Sequence, residues 1–147
     1  MCATCFTGCG QSSKAKANTK EVKEEKKENT EDSEKSEAVD LTKMGADMVY
    51  ATVYQMMVDP DSYEGKKVTM EGTYSPFTDE NNGNTYHYCV IKDALGCCSQ
   101  GMEFLWDGEF PKEGTLIKVT GVYETYKEEG SDDLYCRLKD ATMEAVE

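Results

Sequence analysis

The residues with the most distinctive chemistry are four cysteines in the C-terminal part of the chain and its only histidine: His87, Cys89, Cys97, Cys98 and Cys136. Thiolates and imidazoles bind zinc tetrahedrally, so three or four of these side chains would make a soft metal site. His87 and Cys89 are two residues apart and share one face of a predicted strand, which favours their joint use. The seven residues between Cys89 and Cys97 do not match the Cys-x2-Cys spacing of common zinc sites.

Two other interpretations of these cysteines stay open. Outside the cytoplasm, four cysteines in one small domain typically form two disulfides. Because a bond between adjacent Cys97 and Cys98 requires a strained ring, we expect one of them to pair with Cys89 and the other with Cys136. Alternatively, Cys89 and Cys136 occupy alternating apolar positions and serve as small buried hydrophobes with free thiols. A weaker alternative is a thiol redox protein that uses Cys97 and Cys98.

No pattern in the chain is typical of an enzyme. His87 has no serine or cysteine nucleophile in a recognisable motif beside it, and a lone strand histidine is more often a packing residue than a base. Phosphate-binding glycine loops, Gly-x-Ser-x-Gly and paired His-Glu metal motifs are all missing from the sequence. We therefore expect a protein that is not an enzyme.

A second group of cysteines lies near the N-terminus, where Phe6-Thr7-Gly8-Cys9 resembles a bacterial lipobox. Residues 1–9 are interpreted as the remnant of a lipoprotein signal peptide, in which Cys9 is lipidated and becomes the mature N-terminus. The positive start and apolar stretch of a signal peptide are missing from residues 1–8, so we expect the true start to lie further upstream. The predicted location is the extracytoplasmic face of the cell membrane, through a lipid anchor.

The composition separates a tether from a domain. Residues 10–40 are rich in Glu and Lys and carry no aromatic side chain, so they bury too little apolar surface to fold and form a disordered tether. Residues 41–147 remain as one small domain. The chain has a net charge of −13, which excludes nucleic acid as a partner and disfavours docking on anionic lipid.

The periodicity of the domain predicts one helix followed by five strands. Apolar residues recur at helical spacing over Ala46–Val58, and Asp59-Pro60 ends the helix. Alternation predicts strands at Lys67–Ser75, Thr85–Lys92, Met102–Trp106, Thr115–Tyr126 and Leu134–Lys139. Gly72 and Gly121 within strands suit sharp coiling. The predicted fold is mainly β (α+β), a five-stranded OB-like barrel preceded by one helix and the disordered tether, with a meander sandwich as the second choice.

Several motifs resemble a known group of proteins. They are Asp59-Pro60-x-x-Tyr63-x-Gly65-Lys66, Tyr88-Cys89-Val90-Ile91, Cys97-Cys98-Ser99-Gln100-Gly101 and Val119-x-Gly121. Together they resemble small OB-like extracytoplasmic domains of Gram-positive lipoproteins of unknown function. They are more distantly similar to the C-terminal domain of a two-component permease family, which has a similar Tyr-x-Gly-Lys segment and a paired Cys-Cys. That family's suspected link to metal handling agrees with a zinc site, but its permease part has no counterpart in these residues.

Aromatic side chains on or beside the strands suggest a ligand face. OB barrels bind oligomers across their second and third strands, so Tyr86, Tyr88, Trp106 and Tyr123 are the candidate contacts. About half of the domain's aromatic residues are expected to fill the core instead. We therefore expect a lipid-anchored binding or accessory module for an unknown protein or envelope ligand. The alternative is a zinc-binding or metal-handling lipoprotein that uses the cysteine cluster and requires no other cofactor.

The lipid anchor gives the first testable prediction. Radiolabelled fatty acid is expected to enter the full-length protein in its native host, because Cys9 would be the acylated residue. The Cys9→Ala variant should remain unlabelled under the same conditions. Equal label in both proteins would show that Cys9 is not the modified residue.

Overall fold

The structure is a computed structural model and describes residues 37–147 of the chain. Strands are the predominant secondary structure among these residues. The main elements are β1 (Val39–Asp40), α1 (Ala46–Val58), β2 (Lys67–Thr78), β3 (Thr85–Lys92), β4 (Ser99–Phe104), β5 (Leu116–Lys127) and β6 (Leu134–Ala145). Short 3-10 turns lie at Leu41–Lys43 and Pro60–Ser62. The lipobox and the tether up to residue 36 lie outside the described residues. The last two tether residues, Val39 and Asp40, form β1.

The five long strands close into a barrel in the order β2-β3-β4-β6-β5, with β5 pairing back onto β2. All neighbours in this ring are antiparallel except β4 and β6, which run parallel. The short β1 adds to β2 in parallel outside the ring. The predicted mainly β, OB-like barrel preceded by one helix is confirmed, and the sandwich alternative is excluded by the closing pair.

Closure requires β2 to bend from one neighbour to the other. Residues Lys67–Thr73 pair with β5, whereas Thr73–Thr78 pair with β3, so Thr73 has partners on both sides. Gly72 lies immediately before this crossover. A Cβ atom at Gly72 would lie 2.5 Å from the Val90 carbonyl oxygen and 2.8 Å from the Cys89 sulfur. Only glycine therefore lets β2 and β3 approach this closely.

Strand β6 extends six residues beyond its predicted end at Lys139, and a bulge explains why the sequence pattern ended early. The register of β5 and β6 shifts between Thr120 and Val122, and Asp140 in the bulge has a φ of 48°. One extra residue reverses the inward and outward alternation, so Leu138 and Ala141 both face the core. A simple two-residue period could not follow the strand past this point.

The helix matches its predicted bounds and closes the barrel with a narrower apolar face than expected. Val53 and Met56 are fully buried, whereas Met48 of the predicted stripe is 60 % exposed. The hydroxyl of Tyr123 on β5 donates a 2.6 Å hydrogen bond to the Met56 carbonyl, which joins the helix to the barrel. The remaining core consists of Leu41, Val68, Met70, Tyr74, Cys89, Ile91, Met102, Phe104, Ile117, Val119, Leu138 and Ala141.

The structure corrects the position of the third barrel strand. The sequence predicts Met102–Trp106, but β4 begins at Ser99, directly after the paired cysteines, and ends at Phe104. Leu105 and Trp106 lie beyond the end of the strand, although the main chain of Leu105 still forms two hydrogen bonds with β6. The link after β3 is consequently a tight turn of six residues, which fixes the position of the two cysteines.

The bend in β2 leads to a stability prediction. Gly72→Ala is expected to lower the free energy of unfolding by about 1–3 kcal/mol or more, because its Cβ would overlap backbone that cannot move aside. Urea denaturation of the wild type and the variant measures the difference. Gly45→Ala is the matched control, since a Cβ at Gly45 meets nothing within 4 Å. We expect that control to change stability by less than about 1 kcal/mol.

Candidate functional site

The adjacent cysteines lie in the tight turn that joins β3 to β4. The turn is closed at its base by the Asp93 amide, which donates to the Cys98 carbonyl at 3.0 Å. The Gly96 amide donates back to the Asp93 carbonyl at 3.0 Å, and Gly96 itself has a left-handed φ of 69°. These bonds hold Cys97 and Cys98 at the exposed tip of a paired hairpin.

The carboxylate of Asp93 accepts hydrogen bonds from both cysteines. Its Oδ1 atom accepts the Cys97 amide at 2.9 Å and the Cys98 amide at 3.2 Å, while Oδ2 accepts the Cys97 thiol at 3.1 Å. The two sulfurs are 3.8 Å apart. The hydrogen bond from the Cys97 thiol lowers the pKa of Asp93, and the same contact raises the pKa of Cys97. Cys97 is therefore mostly a thiol at neutral pH, which disfavours its use as a redox nucleophile.

Cys89 is separated from this turn. It lies opposite Met102 and is fully buried inside the barrel, where burial raises the pKa of its thiol to about 12. The turn that holds Cys97 and Cys98 begins at Asp93, four residues after Cys89. Four residues of extended strand cover about 13 Å, which exceeds the reach of a disulfide. Cys89 therefore packs as a small hydrophobe, as one of the sequence interpretations proposes.

Cys136 lies on β6, opposite Thr125, and is half-buried. Burial raises the pKa of its thiol as well. All four cysteines among residues 37–147 are free, so neither predicted disulfide is present there. The structure thus brings together only Cys97 and Cys98 of the predicted cluster, and adds Asp93, which the sequence analysis missed. An acidic residue directly after a strand and before the paired cysteines was the available signal.

His87 does not join the cysteines. Its Nδ1 atom forms a 2.7 Å hydrogen bond with the Tyr74 hydroxyl, and its ring stacks on Phe110 with centroids 3.7 Å apart. Burial lowers the pKa of the imidazole, which favours the neutral form at pH 7. His87 is therefore a packing residue in an aromatic stack and does not act with the predicted metal ligands.

Of the four predicted ligand-face aromatics, Tyr86 and Tyr88 lie on the outer side of β3. The Tyr86 hydroxyl donates to the Glu128 carboxylate, and that of Tyr126 on β5 donates to Glu103 on β4. Tyr88 is paired directly with Glu103 across the two strands. These contacts form a continuous outer surface of tyrosines and carboxylates across the barrel.

The other two aromatics lie elsewhere. The side chain of Tyr123 is completely buried under the helix, because inward positions of β5 alternate with the outer ones. Trp106 follows β4, and its indole Nε1 donates to the Glu109 carbonyl at 3.3 Å while the ring packs against the core. Neither residue belongs to the Tyr86 and Tyr88 surface. The error at Trp106 follows from the misplaced end of the third strand.

A cavity opens in the barrel wall where β4 and β6 separate. These strands pair only at Glu103 with Arg137 and at Phe104 with Leu138, so the segments preceding those pairs diverge. The gap contains a cavity of about 320 Å³. It is lined by Met57, Pro60, Tyr88, Gly101, Glu103, Tyr123, Thr125, Leu134, Tyr135 and Cys136. Sequence reasoning missed this site because strand divergence leaves no mark in the alternation pattern.

Glu103 is the only charged residue buried among the described residues, with 5 % of its surface exposed. Desolvation raises the pKa of its carboxyl, although the hydrogen bond from Tyr126 and the charge of Arg137 act in the opposite direction. Arg137 forms its ion pair with Glu124, at 2.8 Å, and no ion pair within residues 37–147 includes Glu103. The wall of the cavity therefore carries a buried carboxyl group without a cationic partner in contact.

Comparison with models of known protein families finds no match for this chain, and comparison with curated proteins also finds none. Within the described part of the chain, no helix is both long and apolar enough to cross a membrane.

The buried carboxyl gives a prediction with a defined dependence on pH. Because the fold raises the pKa of Glu103, its protonated form is favoured, and its contribution to stability decreases as pH rises through that pKa. Glu103→Gln keeps the shape and removes the charge. The variant is expected to match the wild type near pH 4 and to exceed it at pH 7.5, by on the order of 1 kcal/mol.

Urea denaturation at the two pH values measures this difference. Glu113→Gln is the matched control, since Glu113 is exposed and does not line the cavity. The control should show no such change between pH 4 and pH 7.5. A Glu103→Gln variant that is less stable than the wild type only at pH 7.5 would mean that the carboxylate charge stabilises the fold.

Proposed function

We propose that this protein is a lipid-anchored extracytoplasmic binding module whose wall cavity receives a basic side chain of an extended peptide segment. The observation that carries the proposal is Glu103, a buried carboxyl group that lines an aromatic cavity and has no ion pair among the described residues. The anchor rests on the lipobox at Cys9, and the tether would hold the barrel away from the membrane.

The energetics of Glu103 favour a cationic ligand. Burial of a carboxylate is unfavourable unless it is paired and hydrogen-bonded, and the Tyr126 hydroxyl supplies one donor. An ammonium or guanidinium group in the cavity would supply the missing charge and further donors. Ligand binding would thereby offset a cost that the free protein carries.

The aromatic side chains favour the same ligand. Tyr88 and Tyr135 line the cavity beside Glu103, and aromatic faces attract cations. The protein uses this chemistry within its own sheet, where the Arg137 guanidinium lies 4.1 Å from the centre of the Tyr126 ring. The apolar stem of a lysine or arginine would contact the exposed side chains of Met57 and Leu134 at the rim.

The backbone and the overall charge support an extended basic peptide. Among residues 37–147, no strand pairs with 99–102 of β4 or 134–136 of β6 on the sides that face the gap, so these main-chain groups are available to a peptide. The net charge of −13 would attract a cationic segment and repel nucleic acid. The proposal assigns no catalytic step to these residues.

The test compares short peptides in calorimetric titrations of the full chain. A lysine- or arginine-containing peptide is expected to bind, and an acidic peptide of the same length is expected not to bind. Glu103→Gln should weaken binding at least about tenfold, because truncation of a buried charge partner typically costs 2 kcal/mol or more. In the same titrations the control Glu113→Gln should retain the wild-type affinity to within about twofold.

Two outcomes would contradict the proposal. Equal weakening by Glu103→Gln and Glu113→Gln would attribute binding to net charge alone and not to the cavity. Binding of a neutral oligosaccharide without binding of the basic peptide would identify the outer tyrosine surface as a glycan site. The stability gain expected for Glu103→Gln separates a loss of binding from a loss of fold.

A further inference from the structure

The turn between β3 and β4 holds a second cluster of chemically active groups, separate from the cavity. The cluster consists of Asp93, Cys97 and Cys98, whose ligand atoms all lie within 4.8 Å of one another. None of these residues lines the cavity between β4 and β6. The cluster is therefore separate from the proposed peptide site.

The spacing of the two sulfurs matches one coordination geometry. Zinc–sulfur bonds are about 2.3 Å long, so two sulfurs bound tetrahedrally to one zinc ion lie about 3.8 Å apart. The Cys97 and Cys98 sulfurs are 3.8 Å apart. A linear two-coordinate site would need about twice the bond length, roughly 4.6 Å. A disulfide would need about 2.05 Å, which adjacent residues reach only with a strained ring.

Asp93 is placed to supply the third ligand. Its Oδ1 atom is held by the amides of Cys97 and Cys98, which leaves Oδ2 on the side of the sulfurs, 3.1 Å from that of Cys97. In a tetrahedral site a carboxylate oxygen and a sulfur lie about 3.6 Å apart. The contact between Asp93 Oδ2 and the Cys97 sulfur would therefore lengthen by about half an ångström when a metal replaces the thiol proton.

The turn is rigid enough to preserve this arrangement. The β3–β4 ladder continues to the pair Lys92 and Ser99, and two backbone hydrogen bonds close the loop above it. The two cysteines are exposed, so an ion would reach them without disruption of the core. Three protein ligands at an open surface leave the fourth position of a tetrahedral ion to water.

We propose that Asp93, Cys97 and Cys98 form a tetrahedral site for one exchangeable zinc ion, with water as the fourth ligand. The site differs from the cluster expected from the sequence, because Cys89 and Cys136 are excluded and a carboxylate is included. Binding replaces the thiol protons of both cysteines by the metal, and no electron transfer takes place.

The experiment uses the full chain with Cys2, Cys5 and Cys9 replaced by serine, so that the N-terminal thiols do not contribute. The reduced protein is titrated anaerobically with Co²⁺ and then with Zn²⁺, and both absorption and native mass are recorded. One Co²⁺ per chain with a tetrahedral thiolate spectrum, displaced by one Zn²⁺, is the expected result. Cys97→Ser, Cys98→Ser and Asp93→Asn should each weaken binding at least about tenfold.

Cys136→Ser is the matched control, since it removes a thiol outside the turn and should leave the metal affinity unchanged. Circular dichroism verifies that each variant is folded. Equal loss of metal in Cys136→Ser and Cys97→Ser, one ion shared by two chains, or no metal bound to the reduced protein would each overturn the proposal. None of these outcomes bears on peptide binding at Glu103, so the two proposals fail separately.

Discussion

The pairing of β2 with β5 is the constraint on which the rest of this structure depends. The twelve-residue strand β2 pairs with both β3 and β5, and it bends at Gly72 and Thr73 between the two partners. A side chain at residue 72 would collide with the backbone of β3. The same ring includes β4 and β6, which pair in parallel at only two positions. The cavity with Glu103 in its wall lies beside this short parallel contact.

Local patterning predicted the elements that obey one regular period. The helix at Ala46–Val58 and the strand at Thr85–Lys92 have the predicted bounds, because their apolar positions follow a single helical or two-residue repeat. The prediction for β6 stopped at Lys139 because the bulge at Asp140 reverses the alternation. Such a change depends on the partner strand, where Gly121 leaves room for the Leu138 and Ala141 side chains, and is not encoded in β6 alone.

The candidate sites show the same division between local and long-range information. Cys97 and Cys98 were identified from the sequence, since adjacent cysteines are conspicuous at any position. Asp93 was not, because its carboxylate meets them only after the β3–β4 ladder has closed the turn. Glu103 was missed for a stronger reason. It occupies an outward position of a strand, where a carboxylate is ordinary, and its hydrogen-bond donor Tyr126 lies 23 residues away.

The two sites exploit opposite properties of the barrel. The zinc proposal needs three atoms held at fixed distances, and it lies in a turn that the β3–β4 ladder and two loop hydrogen bonds constrain. The peptide proposal needs an opening and unsatisfied main-chain groups, and it lies where the sheet is interrupted. In the peptide proposal Glu103 supplies the charge at this opening, and the raised pKa of its carboxyl reflects the cost of burying that charge without a cationic partner.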